Sequence, residues 1–322
     1  MRVRDGRPPT VHPEGGVALI LVLLVLALLL TVAGQLAQAM RLEATTTLNF
    51  RDTLAAGYLA EAAYHRAVAE ILPEALAHHP DERGLLVFRR ARVEPIEVPQ
   101  REDVPLGRGR LAYRITDEET RLNLNRATPE VLHRLLTEVG VERQTRDVIV
   151  DSIQDWRDQN EDHRLNGAES DYYLSLPVPY RSKNADFDSV DELLQVKGVT
   201  PEIFYGRPES PGLGEYLTVA GVGAINVNTV SPVVLRALGF AQAEADLLIA
   251  GRPYLDLSGL NASVRRGTQR VKSETFRIEA TGEVPGQGRR TLFAVVQRRP
   301  GRDGVIRVTP LQWRWDPETT SP

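Results

Sequence analysis

The sequence predicts an α+β protein. A long N-terminal helix, transmembrane and then amphipathic, packs on a small antiparallel sheet, and a large α-helical domain is inserted into that sheet. Three observations carry this. An apolar run opens the chain and leads into a four-residue apolar repeat. Short alternating segments lie before residue 120 and after residue 270. Between them the pattern changes to capped helical segments. The 322 residues are 42% hydrophobic and 25% charged, ordinary proportions for a globular protein and enough apolar side chain for a core. Lys and Arg number 39 against 43 Asp and Glu, a net charge of -4, so no global basic charge points to nucleic acid. The absence of cysteine excludes disulfides, thiolate nucleophiles, zinc–thiolate sites and iron–sulfur clusters.

The first element is the apolar run. From Val17 to Ala33 only Thr31 is polar, and no charge occurs from Gly15 through Met40. A helix over residues 17–40 is about 36 Å long, enough to cross a bilayer. Arg2, Arg4 and Arg7 precede it and favour a cytoplasmic N-terminus with the body outside. A cleaved secretory signal is the alternative. The run is long for one, and no small-x-small cleavage site follows in a polar flank. The helix then continues. Ala55, Leu59, Ala63, Ala67 and Ile71 repeat every four residues, with Arg51, Asp52, Glu61, His65 and Glu70 on polar faces. Pro73 is the first residue expected to end it. Val17 to Leu72 makes a helix of about 84 Å. Leu48, Leu54 and Tyr58 are expected to pack within the subunit.

Strands are expected over Gly84–Val93 and Gly109–Ile115, and again over Thr275–Glu283, Thr291–Gln297 and Val305–Val308. Pro285-Gly286-Gln287-Gly288 marks a turn, and His78-His79 a solvated one. The helical stretch between the two sets contains an internal echo: LNLNRATPEVLHRL (Leu122–Leu135) aligns with INVNTVSPVVLRAL (Ile225–Leu238). Thr128 and Ser231 read as N-caps before Pro129 and Pro232, and Thr200-Pro201 starts a third helix in the same way. Ser189 to Glu192 is a capping box.

Between the copies lies an acidic loop. Residues 151–171 hold seven carboxylates against two arginines, a repulsion that a hard cation relieves. Asp158, Asn160 and Asp162 fall at positions 1, 3 and 5 of a twelve-residue calcium loop, with Glu169 at position 12. Arg164 at position 7 offers its backbone carbonyl. His163 stands where an EF-hand has Gly, so the reading is a calcium-binding loop without the EF-hand fold. Asp155, Asp171, Asp186 and Asp188 are further carboxylates for this site or a second. The alternative is a solvated acidic loop whose Asp and Asn side chains form turns.

The segment before the apolar run ends in Gly15-Gly16, followed at once by Val17-Ala18-Leu19. It resembles the leader of type IV prepilins and pseudopilins. That resemblance implies cleavage after Gly16 by a prepilin peptidase, with Val17 as the new, methylated N-terminus of a retained helix. Leu21 stands at the fifth mature position, where most pilins carry Glu. RLNLN with Ala-Thr-Pro, DWRDQNEDHRLNGAESDYYLSLPVPYRSKN, FDSVDELLQVKGVTPE and INVNT then resemble the minor pseudopilin K family of type II secretion systems (general secretion pathway protein K), which typically lacks that Glu.

The resemblance covers nearly the whole chain and is strongest from Arg121 to Leu238. It implies a leader (1–16), a transmembrane helix (17–40), a pilin-like α/β domain in two parts (41–120 and 270–315) around an inserted helical domain (121–269), and a tail (316–322). It further implies an inner-membrane subunit, its N-terminus cytoplasmic and its body periplasmic, at the tip of a short pseudopilus. There it joins minor pseudopilins I and J and primes assembly of the major pseudopilin G, with one or two calcium ions in the insertion.

Two rivals are weaker. The INVNT pieces and Asp191–Val199 also resemble helix-hairpin-helix modules of membrane-anchored DNA-uptake proteins. Thr200, however, replaces the second hairpin glycine, and the insertion is acidic, which opposes phosphate binding. Lys197-Gly198 reads as a helix end. An enzyme is weaker still, because the six histidines form no helical metal pair and no Ser/His/Asp motif.

Overall fold

The computed structural model describes residues 14–72, 77–80, 86–89, 99–260, 269–286 and 288–316. The leader as far as residue 13 (with Arg2, Arg4 and Arg7), Pro73, residues 84, 85 and 90–93 of the first expected strand, Gln287 of the expected turn and the tail from residue 317 lie outside them.

Helix α1, Glu14–Ile71, is a single element of 58 residues, about 87 Å long. Its first part packs on no other described element: the apolar side chains from Leu19 to Leu42 are all exposed, and this stretch is long and apolar enough to cross a membrane. Three threonine hydroxyls along α1 bond back to the helix. The Thr31 hydroxyl donates to the Ala27 carbonyl at 2.5 Å, and those of Thr45 and Thr46 to the Arg41 and Leu42 carbonyls, each at 2.9 Å, so the one hydroxyl within the apolar run is satisfied inside the helix.

From Ala56 onward α1 gains a buried face of Ala56, Leu59, Ala60, Ala63, Tyr64, Ala67 and Ile71. The expected stripe is present, but Ala55 is only half-buried and Asp52, expected on a polar face, is buried. The side chain of Asp52 accepts from Arg51. Leu48, Leu54 and Tyr58, expected to pack inside the subunit, are exposed instead: Leu48 precedes the part of α1 that meets the sheet, and Leu54 and Tyr58 lie off its buried face of Asp52, Ala56, Leu59 and Ala60.

The sheet follows. Strands β1 (Ala77–Pro80) and β2 (Leu86–Arg89) form a separate antiparallel pair. His78 and His79 therefore lie in a strand opposite Phe88 and Val87, not in a turn. Strand β3 (Val104–Leu106), which the sequence did not signal, pairs with β4 (Gly109–Asp117). The alternation in β4 buries Leu111, Tyr113, Ile115 and Asp117, as a one-sided strand should.

After β4 the chain leaves the sheet for the insertion. Its elements are β5 (Leu122–Asn123), α2 (Pro129–Glu138), α3 (Arg143–Arg157), α4 (Ser170–Leu174), a 3-10 turn (Val190–Gln195), α5 (Pro201–Tyr205), the β6–β7 hairpin (Gly206–Arg207, Ser210–Pro211), β8 (Leu217–Thr218), β9 (Ile225–Asn226), α6 (Pro232–Ala237), α7 (Gln242–Ala250) and β10 (Gln269–Arg270). Strands β11 (Thr275–Val284), β12 (Gly288–Pro300) and β13 (Ile306–Trp315) then complete a five-stranded antiparallel sheet ordered β13-β12-β11-β4-β3. Strand β13 runs past the expected end at Val308 and takes in Trp313 and Trp315.

Helix and sheet share one core, in which Ile278 sits between Ile115 and Ala294 in register. The contact is close because the residues are small. A β-carbon at Gly282 would lie 2.1 Å from the Ala56 carbonyl oxygen and 2.5 Å from the Ala60 nitrogen.

The insertion has its own core and its echo is structural. Each copy starts with a two-residue strand in a parallel pair, β5 with β8 and β9 with β10, and then turns into α2 or α6, which pack on each other. In the first copy Asn125 donates to and accepts from the backbone of Phe187, at 2.9 and 2.8 Å. In the second, Asn228 does the same to Tyr254, at 2.8 and 2.7 Å. Asn123 and Asn226 each accept from the amide two residues on. The repeated Asn-x-Asn is thus a backbone-mimicking clamp. Ser231 and Thr200 cap their helices through their hydroxyls and the Ser189 capping box is present, whereas Thr128 occupies the N-cap position with no side-chain cap bond.

Asp117 joins the two bodies. It is the last residue of β4, and its carboxylate accepts from Asn226 Nδ2 at 2.9 Å, Thr229 Oγ1 at 2.6 Å, Ser273 Oγ and the Glu119 amide. Glu118, buried beside it, pairs with Arg277 of the sheet and Arg121 of the insertion.

Candidate metal centre

The acidic loop begins where α3 ends. The amphipathic pattern of α3 buries Ile149, Val150, Ile153 and Trp156, and this turns Asp155, in its last turn, inward: it is fully buried. Asp158 caps the helix three residues later. The chain then crosses an exposed stretch and returns at Gly167-Ala168-Glu169, all buried, with Glu169 just ahead of α4. Asp155, Asp158 and Glu169 each present an oxygen, and these lie within 4.8 Å of one another.

The three carboxylates are unequally satisfied. Arg164 Nη1 donates to Asp155 Oδ1 at 2.5 Å and to Asp158 Oδ2 at 2.7 Å, and the Arg164 amide donates to Asp155 Oδ2 at 3.1 Å. Glu169 is 1% exposed, yet neither of its carboxylate oxygens has a hydrogen-bond partner. Burial pushes its carboxyl up to about 7, and the charges of Asp155, Asp158 and Glu161 push the same way. The Ser182 hydroxyl, near enough to soften that rise, is engaged with Ser170 Oγ at 2.9 Å. A buried carboxylate with two orphaned oxygens, facing two more carboxylates, fits an all-oxygen site for a hard divalent cation.

The surroundings hold this geometry. Lys197 Nζ donates to the carbonyls of Gly167 at 2.9 Å and Asn166 at 3.3 Å and sits over the Tyr172 ring. Asn166 is tied to Asp151 at 2.9 Å. Trp156, Tyr173, Tyr180 and Phe187 pack below, with ring centroids 5.2 Å apart for Trp156–Tyr173 and for Tyr173–Tyr180. Tyr172, Tyr173 and Tyr180 therefore build the floor of the loop.

The sequence-predicted residues divide. Asp158 and Glu169 come together, and Asp155 joins them because helical spacing puts it one turn from Asp158. Asn160 and Asp162 are exposed and form successive turns: Asp158 Oδ1 accepts from Asn160 Nδ2 at 2.8 Å, and Asn160 Oδ1 from the Asp162 amide at 2.8 Å. The Arg164 carbonyl accepts from the Gly167 amide at 3.0 Å, and its side chain reaches the cluster instead. Asp171 is exposed and accepts from the Tyr172 amide. Asp186 is exposed, and Asp188 pairs with Lys183 at 2.7 Å.

Sequence reasoning missed Glu161, which closes the loop by accepting from Ser170 Oγ and Asn184 Nδ2, each at 3.0 Å. Nothing in the spacing separated it from the other six carboxylates. Gly16 and Val17 lie in the first turn of α1. Lys197, a phosphate contact in the helix-hairpin-helix reading, points at loop carbonyls.

The chain thus combines an N-terminal helix long and apolar enough to cross a membrane with a small antiparallel sheet, interrupted by a helical insertion that carries an acidic loop. Residues 114–205 match the family model described as "Type II secretion system (T2SS), protein K". The chain is 28% identical over 286 residues to type II secretion system protein K of Pectobacterium carotovorum subsp. carotovorum, covering 79% of this chain and 80% of that protein. It is 26% identical over 322 residues to the same protein of Aeromonas hydrophila, covering 93% and 87%. In fold it is similar to a chain of the GspK-GspI-GspJ complex from the enterotoxigenic Escherichia coli type 2 secretion system, with TM-score 0.62, 17% identity, 87% of this chain and 100% of that chain covered. The chain is thus similar to type II secretion system protein K, the family its motifs from Arg121 to Leu238 resemble.

Proposed function

We propose that this chain is the minor pseudopilin at the tip of a type II secretion pseudopilus. In this reading it starts pseudopilus assembly with minor pseudopilins I and J, ahead of the major pseudopilin G, for export of folded proteins across the outer membrane. The observation that carries the reading is the joint presence, in one chain, of the exposed apolar half of α1 and an insertion bearing the protein K motifs. The matched structure is a complex with I and J proteins, which supports those partners. Its work is assembly, without a catalytic step.

The insertion leaves the sheet after β4 and returns at β11, so it adds bulk to the body without breaking α1. A terminal subunit tolerates such bulk because nothing must stack above it. Gly15-Gly16-Val17 fits cleavage after Gly16 by a prepilin peptidase, with α1 retained in the inner membrane, its N-terminus cytoplasmic and its body periplasmic. Leu21, in place of Glu, suits a subunit that docks beneath no other.

Asp155, Asp158 and Glu169 would hold calcium, with Asn160 and Asp162 on the outer side of the same loop. Bound there, the ion supplies the positive charge that three close carboxylates need. The chain's own part is to fix those oxygens on the end of α3 and the start of α4. The test is deletion of the gene in its own bacterium. Secreted proteins should accumulate in the periplasm and return to the medium on complementation with the wild-type chain. Normal secretion in the deletion strain would sink the reading.

A further inference from the structure

The acidic cluster already contains a cation of its own. Arg164 Nη1 lies between Asp155 Oδ1 and Asp158 Oδ2, at 2.5 and 2.7 Å, as a bridging metal ion would. It serves two of the three carboxylates. Both Glu169 oxygens remain without a partner, although the residue is buried. One positive charge among three carboxylates leaves two negative charges uncompensated, whereas a divalent ion with oxygen ligands can reach all three. The Arg164 side chain is 41% exposed, while Asp155 opposite it is fully buried. The guanidinium therefore has a way out to water, which the buried carboxylates of Asp155 and Glu169 lack.

We infer that Arg164 is a displaceable internal counter-ion that competes with the divalent cation for Asp155 and Asp158 and so sets the affinity of the site. The inference rests on the calcium reading of the loop. Arg164 holds the loop when cation is scarce and yields its two oxygens when cation is plentiful. Its amide stays on Asp155 throughout, because that bond uses the backbone. The loop thus keeps its path while the side chain changes places. Sequence reasoning could not see this, since position 7 of a calcium loop contributes only a carbonyl.

The test is calcium titration by calorimetry on the full chain in detergent, at fixed pH and ionic strength, with wild type, Arg164→Gln and Arg164→Lys. Removing a charge that shares ligands with the ion should tighten calcium binding about tenfold or more in Arg164→Gln. Arg164→Lys, which keeps the charge but loses the fork, should fall between. Thermal midpoints should separate this from a structural role: Arg164→Gln lowers the midpoint in chelator and restores it in calcium, whereas a structural arginine lowers both.

Wild type that binds calcium while Arg164→Gln binds equally or more weakly overturns the counter-ion role and leaves the calcium reading standing. Calcium binding by Arg164→Gln alone supports the counter-ion role in its strongest form, with the arginine as a full substitute. No binding by any of the three overturns both. Should Arg164→Gln fail to fold, Arg164→Lys decides: tighter binding than wild type supports the role, and equal or weaker binding overturns it.

Discussion

A β-carbon on Gly167 would meet Asp155 Oδ2 at 1.8 Å. The backbone of the acidic loop lies directly against the most buried carboxylate of the cluster, with the Arg164 amide 3.3 Å from the same position. Gly167→Ala must therefore push the Asp155 carboxylate out of the cluster. We expect a loss of about 1–3 kcal/mol, as for overpacking, together with weaker calcium binding. Denaturant unfolding with and without calcium checks this. An alanine variant with wild-type stability and wild-type calcium response would show that the loop is not built around Asp155.

Asp117 should be the strongest single tie between sheet and insertion. Burial raises its pKa, while bonds from Ser273, Thr229, Glu119 and Asn226 oppose that rise. Asp117→Ala leaves several buried donors without acceptors and should cost at least about 3 kcal/mol. Thr229→Val removes one donor and should cost about 1 kcal/mol. Proteolysis should then cut between the two bodies in Asp117→Ala before it cuts within either.

Glu119 supplies a pH dependence. Burial first, and then the charge of Asp117, raises its pKa from 4.5 to about 8. One oxygen accepts from the Glu274 amide at 3.0 Å and the other has no partner. Its folded-state pKa lies above the unfolded value, so the folded state holds the proton more tightly. The stability contribution is complete below about pH 4.5 and is lost as pH rises to about 8. Glu119→Gln should remove that slope. Its midpoint should gain on wild type steadily from pH 5 to pH 8.5, and parallel curves would contradict the assignment.

Gly282 sets how closely α1 approaches the sheet. With backbone atoms of Ala56 and Ala60 within 2.5 Å of any β-carbon there, neither side can yield cheaply. Gly282→Ala should destabilise the body by about 2 kcal/mol or more, with loss of near-ultraviolet signal from the Tyr64–Trp313 pair, whose rings are 4.9 Å apart. A variant matching wild type in both would mean that α1 packs more loosely.

The N-terminal helix, four of the five main strands and the inserted helices were legible because each follows a period or a cap. Val17–Leu72 against Glu14–Ile71 is the clearest case. Strand β3 was not legible: three residues containing Pro105 carry no alternation. Nor was the strand character of Trp313 and Trp315, because Leu311 interrupts the pattern at the bulge in the β12–β13 register. In the acidic loop, spacing found Asp158 and Glu169 but favoured Asn160 and Asp162 over Asp155. A calcium-loop template counts along the chain, and Asp155 belongs to the helix before it. What brings Asp155 in is the burial of the α3 face it sits on, a tertiary fact.

A subunit that works by assembly, as proposed, should be caught in the assembly itself. Its body should be mixed with the corresponding bodies of minor pseudopilins I and J from the same secretion system. Mass should then be read by light scattering after gel filtration. A single complex containing one copy of each is expected. A protein K body that elutes as a monomer, with I and J elsewhere on the column, would contradict it.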